Sequence, residues 1–525
     1  MTSQLTGTLA SLGNADTIIV HFGAGTFHIS NAVVFQCNTI IYGEGADVTK
    51  VVCDSGASFT ANDTYLTFKG SKNGEISVDI SNLEVCISEH TGILWSGNER
   101  HLMKIVHSND VHIHGIRSYC YNAAITNLDM RVCSNVTIKD CEFINYNNCL
   151  TGGVIWMRRD THNVAITHNR LVKYGNDEII AFWEAGDDNT AAPISGIKEN
   201  IIIADNEITY ARPSFGDTSI RCTIFITFYN VTNTSSQHYV PTEFKNIHFT
   251  NNDIKIDSPM TGLISYTFNA IDTHQNITFR NNRVLSTANN VGTNSSYQVI
   301  CVRDTSGSTD AIQIVGNNFS TLAITTDQFN DSATIFLNMY NGRAVVVDNT
   351  YVSPYYIENN KRRGTALFWP HGDSNHLQLY NNHFVGLKNI GVFSSGSGLV
   401  ATIIADGNLF SGDTRTYCNN CDRADLKFNN NTFISESYET LLQEFASTGT
   451  LLFTNNNVDI QFINSHGHHE GVLIAHYSSD PLSSMYFERF EVTGNVVQGT
   501  TAAIWILSGL NCGIYIVNNN SFYNS

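Results

Sequence analysis

Short runs of alternating apolar and polar residues recur along almost the whole chain, and the runs end in a similar way. After the alternating apolar residues come one or two polar residues, an asparagine, any residue and another apolar residue. The copy at 164–171 reads Val-Ala-Ile-Thr-His-Asn-Arg-Leu, and the copy at 377–384 reads Leu-Gln-Leu-Tyr-Asn-Asn-His-Phe. A period of two predicts strands that bury every second side chain. The pattern therefore predicts many short β-strands separated by turns.

The asparagine two residues before the last apolar residue marks an internal repeat. Successive asparagines are between 23 and 46 residues apart. The shortest intervals predict one bare coil of a solenoid, and the longer ones predict coils that carry loop insertions. The series consists of Asn169, Asn206, Asn252, Asn282, Asn317, Asn349, Asn382, Asn408, Asn431, Asn456, Asn495 and Asn520.

Asparagine suits a repeated sharp bend because it tolerates the left-handed backbone conformation. At the strand spacing of about 4.8 Å, its amide can also bond to the asparagine of the next coil and form a ladder. The leucine frame of a leucine-rich repeat and the blade period of a propeller are both absent. The chain is therefore predicted to be all-β, a single-stranded right-handed parallel β-helix with loop insertions. We expect residues 1–18 to form an N-terminal cap or linker and residues 19–525 to form the helix.

The opening of the repeat region resembles the pectate-lyase-superfamily β-helix proteins, in particular bacteriophage tailspikes. It reads Val20-His-Phe-Gly-Ala-Gly-Thr-Phe-His-Ile and then Thr39-Ile-Ile-Tyr-Gly-Glu-Gly. In those proteins a strand with a Gly-Thr-Tyr/Phe turn precedes a strand that ends in Gly-x-Gly; here Gly23 stands where they commonly have proline. The resemblance implies a tailspike that binds and depolymerises a bacterial surface polysaccharide, either capsule or O-antigen. It also implies a homotrimer on the virion tail, and thus an extracellular location.

Composition and charge narrow the range of partners. The chain has 525 residues and a formal net charge of −18. It lacks the basic stripe that binds nucleic acid phosphates, and an acidic chain resists anionic membranes. The N-terminus lacks the features of a signal peptide, and no window approaches the roughly 18 apolar residues of a membrane span. We therefore expect no nucleic acid and no membrane partner, and a neutral or weakly acidic glycan fits best.

The segment 156–188 has the highest density of candidate catalytic groups. Five acidic residues fall between Asp177 and Asp188, around an apolar strand. Glycoside hydrolysis needs two carboxyl groups, one protonated as the acid and one ionised as nucleophile or base. Crowding beside an aromatic side chain can raise one pKa and so separate the two roles. The predicted catalytic residues are Glu178, Glu184, Asp187 and Asp177.

Aromatic and basic side chains on corresponding strands are predicted to position the glycan. Sugar rings stack their apolar faces on aromatic rings, and a tryptophan N–H needs a partner, which disfavours a place in the core. The alternative for these residues is a structural role, as core aromatics or as an arginine in a salt bridge. The predicted substrate-binding residues are Trp183, Trp156, Arg158 and Trp369.

Two other functions fit the same sequence. A polysaccharide lyase removes the proton next to a uronate carboxyl group and needs a cation to stabilise the resulting anion. Arg158 with Arg159, or the segment Lys361–Arg363, could supply that cation. A non-catalytic adhesin or structural virion β-helix would bind a glycan without cleaving it.

No cofactor and no metal ion are expected. Cys418 and Cys421 form a lone CxxC pair, whereas a zinc site needs further ligands. His466, His468 and His469 are too crowded on one turn to ligate one ion together. The 12 cysteines lie mostly in apolar runs and are expected to be reduced thiols.

Overall fold

The computed structural model has two compact units, Met1–Thr278 (unit 1) and Phe279–Ser525 (unit 2). None of the described residues lies in an α-helix, so the described part offers no helix that could cross a membrane. The structure describes residues 16–54, 64–71, 73–87, 100–121, 125–146, 153–174, 178–183, 196–211, 223–229, 242–257, 262–268, 273–286, 298–304, 306–321, 334–353, 356–358, 361–394, 399–412, 414, 416–419, 422–435, 442–444, 448–461, 472–476, 486–499, 502–506 and 511–523.

The first strands of the chain are short, apart from three long ones at β9, β11 and β13. They are β1 (Thr17–Phe22), β2 (Gly25–Ile29), β3 (Val33–Phe35), β4 (Asn38–Gly43), β5 (Thr49–Cys53), β6 (Thr64–Lys69), β7 (Ile76–Ser81), β8 (Glu84–Ile87), β9 (Arg100–His114), β10 (Arg117–Tyr121), β11 (Ile125–Lys139), β12 (Glu142–Tyr146), β13 (Ile155–Thr167), β14 (Arg170–Tyr174), β15 (Ile180–Trp183), β16 (Gly196–Ala204), β17 (Glu207–Ala211), β18 (Thr223–Tyr229), β19 (Thr242–Thr250), β20 (Asp253–Asp257), β21 (Gly262–Phe268) and β22 (Thr273–Arg280).

The later strands continue the same succession. They are β23 (Arg283–Ser286), β24 (Gln298–Asp304), β25 (Ile312–Val315), β26 (Asn318–Thr321), β27 (Thr334–Tyr340), β28 (Arg343–Val347), β29 (Thr350–Val352), β30 (Tyr356–Glu358), β31 (Lys361–Arg363), β32 (Thr365–His371), β33 (Ser374–Tyr380), β34 (His383–Ser394), β35 (Val400–Asp406), β36 (Leu409–Gly412), β37 (Thr416–Asn419), β38 (Arg423–Asn429), β39 (Thr432–Ser435), β40 (Leu442–Glu444), β41 (Thr448–Thr454), β42 (Asn457–Ile460), β43 (Val472–His476), β44 (Tyr486–Thr493), β45 (Val496–Gln498), β46 (Ala502–Ile506), β47 (Asn511–Asn518) and β48 (Ser521–Tyr523).

In unit 1 the strands pair in parallel and form three sheets. The first contains β1, β4, β7, β16 and β19; the second contains β2, β5, β8, β10, β12, β14, β17 and β20; the third contains β3, β6, β15, β18 and β21. The long strands β9, β11 and β13 run through the third sheet and then the first. Each bends in between at a residue of positive φ, His107, Val132 or Arg159. This is the predicted right-handed parallel β-helix.

Unit 2 has the same arrangement of parallel strands. Its first sheet contains β25, β28, β33, β35, β38, β41, β44 and β47, and its second contains β23, β26, β29, β36, β39, β42, β45 and β48. Its third sheet contains β24, β27, β32, β37, β40, β43 and β46, and β34 contributes to the second and third. A short antiparallel pair, β30 and β31, stands apart.

The core consists of equivalent side chains stacked on successive coils. Alternation along each strand turns every second residue inward, and the parallel register aligns these residues. In unit 1 one such stack contains Ile138, Ile166 and Ile203, all fully buried. In unit 2 the rings of Phe384 and Phe410 stack with their centroids 5.8 Å apart. The repeated apolar positions of the sequence are therefore vertical neighbours.

The predicted asparagine ladder is confirmed within each unit. Each Nδ2 donates to Oδ1 of the next asparagine, at 2.8 to 3.1 Å, and the backbone N–H donates to the same oxygen. In unit 1 the ladder joins Asn169, Asn206 and Asn252, and in unit 2 it runs from Asn282 to Asn520. These amides therefore satisfy buried polar groups at one corner of each coil.

The predicted left-handed conformation belongs to the preceding residue and not to the ladder asparagine itself. His168, Asp205 and Asn381 have φ values of 57°, 58° and 53°, and each directly precedes a ladder asparagine. Glycine takes this position at Gly407, where an added Cβ would lie 2.6 Å from Oδ1 of Asn381 on the coil below. Asparagine at the ladder position is needed for its side-chain hydrogen bonds, and its neighbour makes the bend.

A second asparagine ladder runs along the surface of unit 1. From Asn135 to Asn276 the asparagines themselves have positive φ, and each directly precedes a valine or isoleucine of a first-sheet strand. At the first member, Asn109, the positive φ belongs to the next residue, Asp110. Their Nδ2 atoms donate to Oδ1 on the preceding coil at 2.8 to 3.1 Å. The ladder joins Asn109, Asn135, Asn163, Asn200, Asn246 and Asn276. The recurring Asn-Val or Asn-Ile pair was its signal in the sequence.

Candidate active site

The third sheet of unit 1 is buried on both faces where β11 crosses it. All seven residues of 125–131 are buried. Leu128 and Met130 face the core, aligned with Ile155 and Met157 of β13. The alternate residues must then lie on the opposite face, which we call the outer face. It carries Asp129 and Arg131, aligned with Trp156 and Arg158 of the next coil.

Asp129 is the centre of a buried charged cluster on the outer face. Nε of Arg131 donates to its Oδ2 at 2.7 Å, and Nε of Arg158 lies 3.0 Å from its Oδ1. His101, from the coil below, brings Nε2 to 3.4 Å from Oδ2. The four side chains are between 0% and 3% exposed. We call these residues and Trp156 the charged cluster.

The indole of Trp156 packs against the cations of the charged cluster. Cζ of Arg158 lies 4.7 Å from its ring centroid, within the range of a cation–π interaction. The ring of His101 meets it edge-on, with the centroids 5.9 Å apart. These contacts fix the guanidinium group of Arg158 between an aromatic face and the carboxylate of Asp129.

The environment separates the protonation states of Asp129 and His101. Burial alone would raise the pKa of Asp129, but His101, Arg158 and Arg131 together lower it to about 2. Burial lowers the pKa of His101 to about 3, because the imidazolium loses its hydration. At neutral pH the cluster therefore holds an ionised carboxylate beside a neutral imidazole.

Glu178 lies on the same face, one coil above Gly153. By the register of the parallel strands, Thr126, Gly153 and Glu178 are aligned on successive coils. Thr126 is in turn aligned with His101 of the coil below. Backbone N–H of Val154 donates to the carbonyl of Glu178 at 3.2 Å. The carboxyl oxygen Oε2 of Glu178 is buried. His101 and Glu178 thus belong to one column that borders the charged cluster.

Gly153 makes room for Trp156. A Cβ at this position would lie 2.1 Å from Nε1 of Trp156 and 2.9 Å from the carbonyl oxygen of Glu178. Any larger residue would therefore displace the indole or the strand above it. The sequence Gly153-Val-Ile-Trp156 encodes this packing through the three-residue spacing of glycine and tryptophan.

A polar network in the core supports the same strands from the other side. Nδ2 of Asn145 donates to the carbonyl of Gly153 at 3.0 Å, and its Oδ1 accepts from Nζ of Lys173 at 2.9 Å. Nδ2 of Asn127 donates to Oγ of Ser118 at 3.0 Å. All four side chains are fully buried. Such saturated networks hold the backbone in one arrangement.

Comparison with known proteins yields similar solved structures but no family. No protein-family model and no curated protein match the chain. The DFA-IIIase of Arthrobacter chlorophenolicus A6 without its lid is 13% identical at a TM-score of 0.49, over 72% of this chain and 90% of that one. The Pseudomonas phage phi297 tailspike gp61 is 11% identical at a TM-score of 0.34, over 76% of both chains. The family 28 exopolygalacturonase of Yersinia enterocolitica is 12% identical at a TM-score of 0.36, over 89% of this chain and 76% of that one.

Three of the predicted site residues lie together, and others lie elsewhere. Glu178, Trp156 and Arg158 share the outer face of unit 1, although Trp156 and Arg158 are only 2% and 1% exposed. The backbone of Trp183 is aligned with Arg158, and its side chain lies outside the described residues. Trp369 belongs to unit 2. Asp177, Glu184 and Asp187 lie outside the described residues.

His101, Asp129 and Arg131 were missed by the sequence analysis. Asp129 and Arg131 had a signal in the alternation Leu128-Asp-Met-Arg131, which puts two opposite charges on one face of an otherwise apolar strand. His101 has no local signal, because only the register between β9 and β11 brings it to the site.

No metal centre was found in the described part of the chain, where no three His, Cys, Asp or Glu side chains are grouped to hold an ion. The cysteines described with their side chains, such as Cys53, Cys120 and Cys133, are free thiols. Burial raises the pKa of Cys133 to about 12, so this thiol stays protonated.

Proposed function

We propose that this protein is a polysaccharide depolymerase whose active centre includes the charged cluster of unit 1. The observation that carries the proposal is the complete burial of Asp129, Arg131 and Arg158 on the outer face. Each buried ion costs several kcal/mol of desolvation. If this part of the sheet were only structural, well-packed apolar side chains would stabilise it better. Perturbed titratable groups of this kind are concentrated at functional sites.

Hydrolysis is the reaction that the acidic residues of this region support best. Asp129 cannot donate a proton at neutral pH, since its pKa is lowered to about 2. Glu178 is our candidate for the general acid, because it belongs to the column that borders the charged cluster and its Oε2 is buried there. We propose that Asp177, Glu184 or Asp187 supplies the second carboxyl group. Trp183 would contact the glycan. Trp156 and Arg158 would form the buried layer beneath the binding site and keep its side chains in position.

The test is the release of reducing ends from a panel of bacterial capsular and O-antigen polysaccharides. Glu178→Gln should reduce the rate by about 100-fold or more, as expected for loss of a general acid. Glu142→Gln is the matched control, because Glu142 is an acid of the second sheet that pairs with Arg170. Full activity of Glu178→Gln would reject the assignment. Binding of a glycan by the wild-type protein without cleavage would instead identify an adhesin.

Elimination is the second candidate, and the two buried guanidinium groups of the charged cluster favour it. The nearest candidate for the base is the imidazole of His101, which would take the proton from the carbon next to a uronate carboxyl group. Arg131 or Arg158 would stabilise the resulting anion, and the C–O bond to the leaving sugar would break to give an unsaturated uronate. Ultraviolet absorbance by that product, lost in His101→Gln and retained in Glu178→Gln, would establish a lyase.

We further propose that the depolymerase is a homotrimeric phage tailspike on the virion tail. The opening motif around Gly23 and Thr39 supports this through its resemblance to tailspikes. Bacterial surface polysaccharide would then be both its receptor and its substrate.

A further inference from the structure

Unit 2 carries its own group of aromatic and polar side chains on the outer face of its third sheet. Leu337 and Met339 face the core on β27, so the residues between and after them face outward. Three coils contribute two residues each, and the register aligns them in two columns. We call them the unit 2 patch: Cys301, Asn338 and Trp369 in one column, and Arg303, Tyr340 and His371 in the other.

The rings of the unit 2 patch lie nearly parallel to one another. Tyr340 stacks on His371 with centroids 4.4 Å apart and planes at 12°. The ring of Trp369 lies 6.0 Å from that of His371, with planes at 14°. Burial lowers the pKa of His371, so the imidazole is neutral near pH 7. The surface is therefore apolar at its centre.

Trp369 repeats the packing of Trp156 but stays partly exposed. It packs over Ala366, three residues earlier, and over Ile335 of the coil below. Trp156 packs over Gly153 with the same spacing. Both tryptophans occupy the outer face of a third sheet. The difference is that Trp156 is covered, whereas Trp369 keeps part of its ring accessible.

Two polar groups border this surface. Arg303 is exposed, its Cζ lies 5.2 Å from the ring centroid of Tyr340, and it makes no ion pair with any described residue. Asn338 is only 2% exposed, and its Oδ1 has no hydrogen-bond partner among the described residues. A buried acceptor of this kind is suited to a hydroxyl donor from a ligand. A guanidinium group held over a ring presents its N–H fork to a carboxylate.

We infer that the unit 2 patch is a second binding site, which takes one uronate residue of an acidic polysaccharide. The apolar face of the sugar ring stacks on Trp369 and His371, and its carboxylate pairs with Arg303. A ring hydroxyl donates to Oδ1 of Asn338. The choice of a polysaccharide as the ligand rests on the proposed function, whereas the site itself rests on the unit 2 patch.

Tryptophan fluorescence tests the site without cleavage. The probes are oligogalacturonate, oligomannuronate and hyaluronan oligosaccharides, with maltohexaose as the neutral control. They are titrated into the full chain carrying Glu178→Gln, with and without Trp369→Phe. The Glu178→Gln chain, which keeps all five tryptophans, should show a signal change with at least one uronate probe. Trp369→Phe should remove the part of that change that comes from the unit 2 patch. Arg303→Gln should weaken binding about tenfold or more, as expected for a charge-assisted bond.

Arg280→Gln is the matched control, because Arg280 is also an exposed arginine but lies on β22, outside the patch. It should leave uronate affinity unchanged. No Trp369-dependent change with any of the three uronate probes would overturn the site. Equal affinity for maltohexaose, or unchanged affinity in Arg303→Gln, would overturn carboxylate recognition. Reducing-end and ultraviolet assays on the wild-type chain report cleavage separately, so a protein that binds at Trp369 but cleaves nothing would overturn only the proposed function.

Discussion

The chemistry of unit 1 depends on how the negative charge of one buried carboxylate, that of Asp129, is neutralised by its neighbours. Asp129 is fully buried, and the two guanidinium groups at 2.7 and 3.0 Å keep it ionised. An ion pair that is buried this deeply is strongly destabilised when one partner is removed, because the other charges remain without compensation. The stability of the fold and the chemistry of the site are therefore linked through the same residue.

Asp129→Asn should lower the free energy of unfolding by about 3–5 kcal/mol, because Arg131 and Arg158 would stay buried without their counterion. The chain offers a matched control in Asp425, which binds Arg423 at 2.8 Å across the same two-residue spacing. That pair is partly exposed, so Asp425→Asn should cost only about 0–1 kcal/mol. Urea denaturation of both variants measures the difference. Equal losses would show that burial does not set the strength of the Asp129 pairs.

His101 makes the stability of unit 1 dependent on pH. Its pKa is lowered from 6.5 to about 3 in the folded state. Between these values the unfolded chain binds a proton that the folded chain does not, so stability should fall as the pH decreases through this window. The limiting slope is about 1.4 kcal/mol per pH unit. Asp129 adds a further loss only at lower pH, as its depressed pKa of about 2 is approached.

Thermal melting from about pH 8 to about pH 4 checks this dependence. His101→Gln should flatten the curve in the window, because the variant lacks the imidazole whose protonation is suppressed in the folded state. If the His101→Gln and wild-type curves are parallel, the imidazole is not held neutral by burial.

Within the coils, the two asparagine ladders contribute differently to the stability of the fold. Asn382 accepts from both N–H groups of Asn349 and donates to Asn408 and to the carbonyl of Val346, all in the interior. Asn163 makes its ladder bonds at the surface. Water can replace the bonds of Asn163 but not those of Asn382, so only the interior ladder should contribute strongly to stability.

Asn382→Ala should therefore destabilise the protein by several kcal/mol, since each buried group left unpaired costs about 1–3 kcal/mol. Asn163→Gly is the comparison, because glycine keeps the positive φ of 55° that this position requires. It should change stability by less than about 1 kcal/mol. Denaturation midpoints measure both. Similar losses in the two variants would contradict the distinction between interior and surface ladders.

Across the whole molecule, the repeat determined what could be predicted from the sequence. Asparagines such as Asn382 and Asn408 recur at corners, so the stacking of coils could be predicted. The high density of candidate catalytic groups in the segment 156–188 also pointed to Glu178, Trp156 and Arg158. His101 and Asp129 could not be found in this way, because they are brought together by the offset between coils, which depends on loop length. The bend was assigned to the wrong residue because Asn381 and Asn382 are both asparagine and only backbone angles distinguish them.

The proposed homotrimer gives a prediction for the assembled protein. Light scattering coupled to size exclusion should report three times the mass of the chain. If the interface is largely apolar, this mass should stay the same as the salt concentration is raised. At low ionic strength the net charge of −18 per chain should favour dissociation, because the chains repel one another. A monomer mass under all conditions would contradict the trimer.

The positions of Asn408 and Asn431 have a consequence for how such a chain can evolve. They are 23 residues apart and are joined directly in the ladder. Both follow a residue in the left-handed conformation, Gly407 or Asn430. Removing 408–430 would bring Gly407 next to Asn431 and give Asn382 an equivalent partner. A gene encoding this fold can therefore lose or duplicate a segment of this length and keep its junctions intact, while insertions elsewhere diversify the loops.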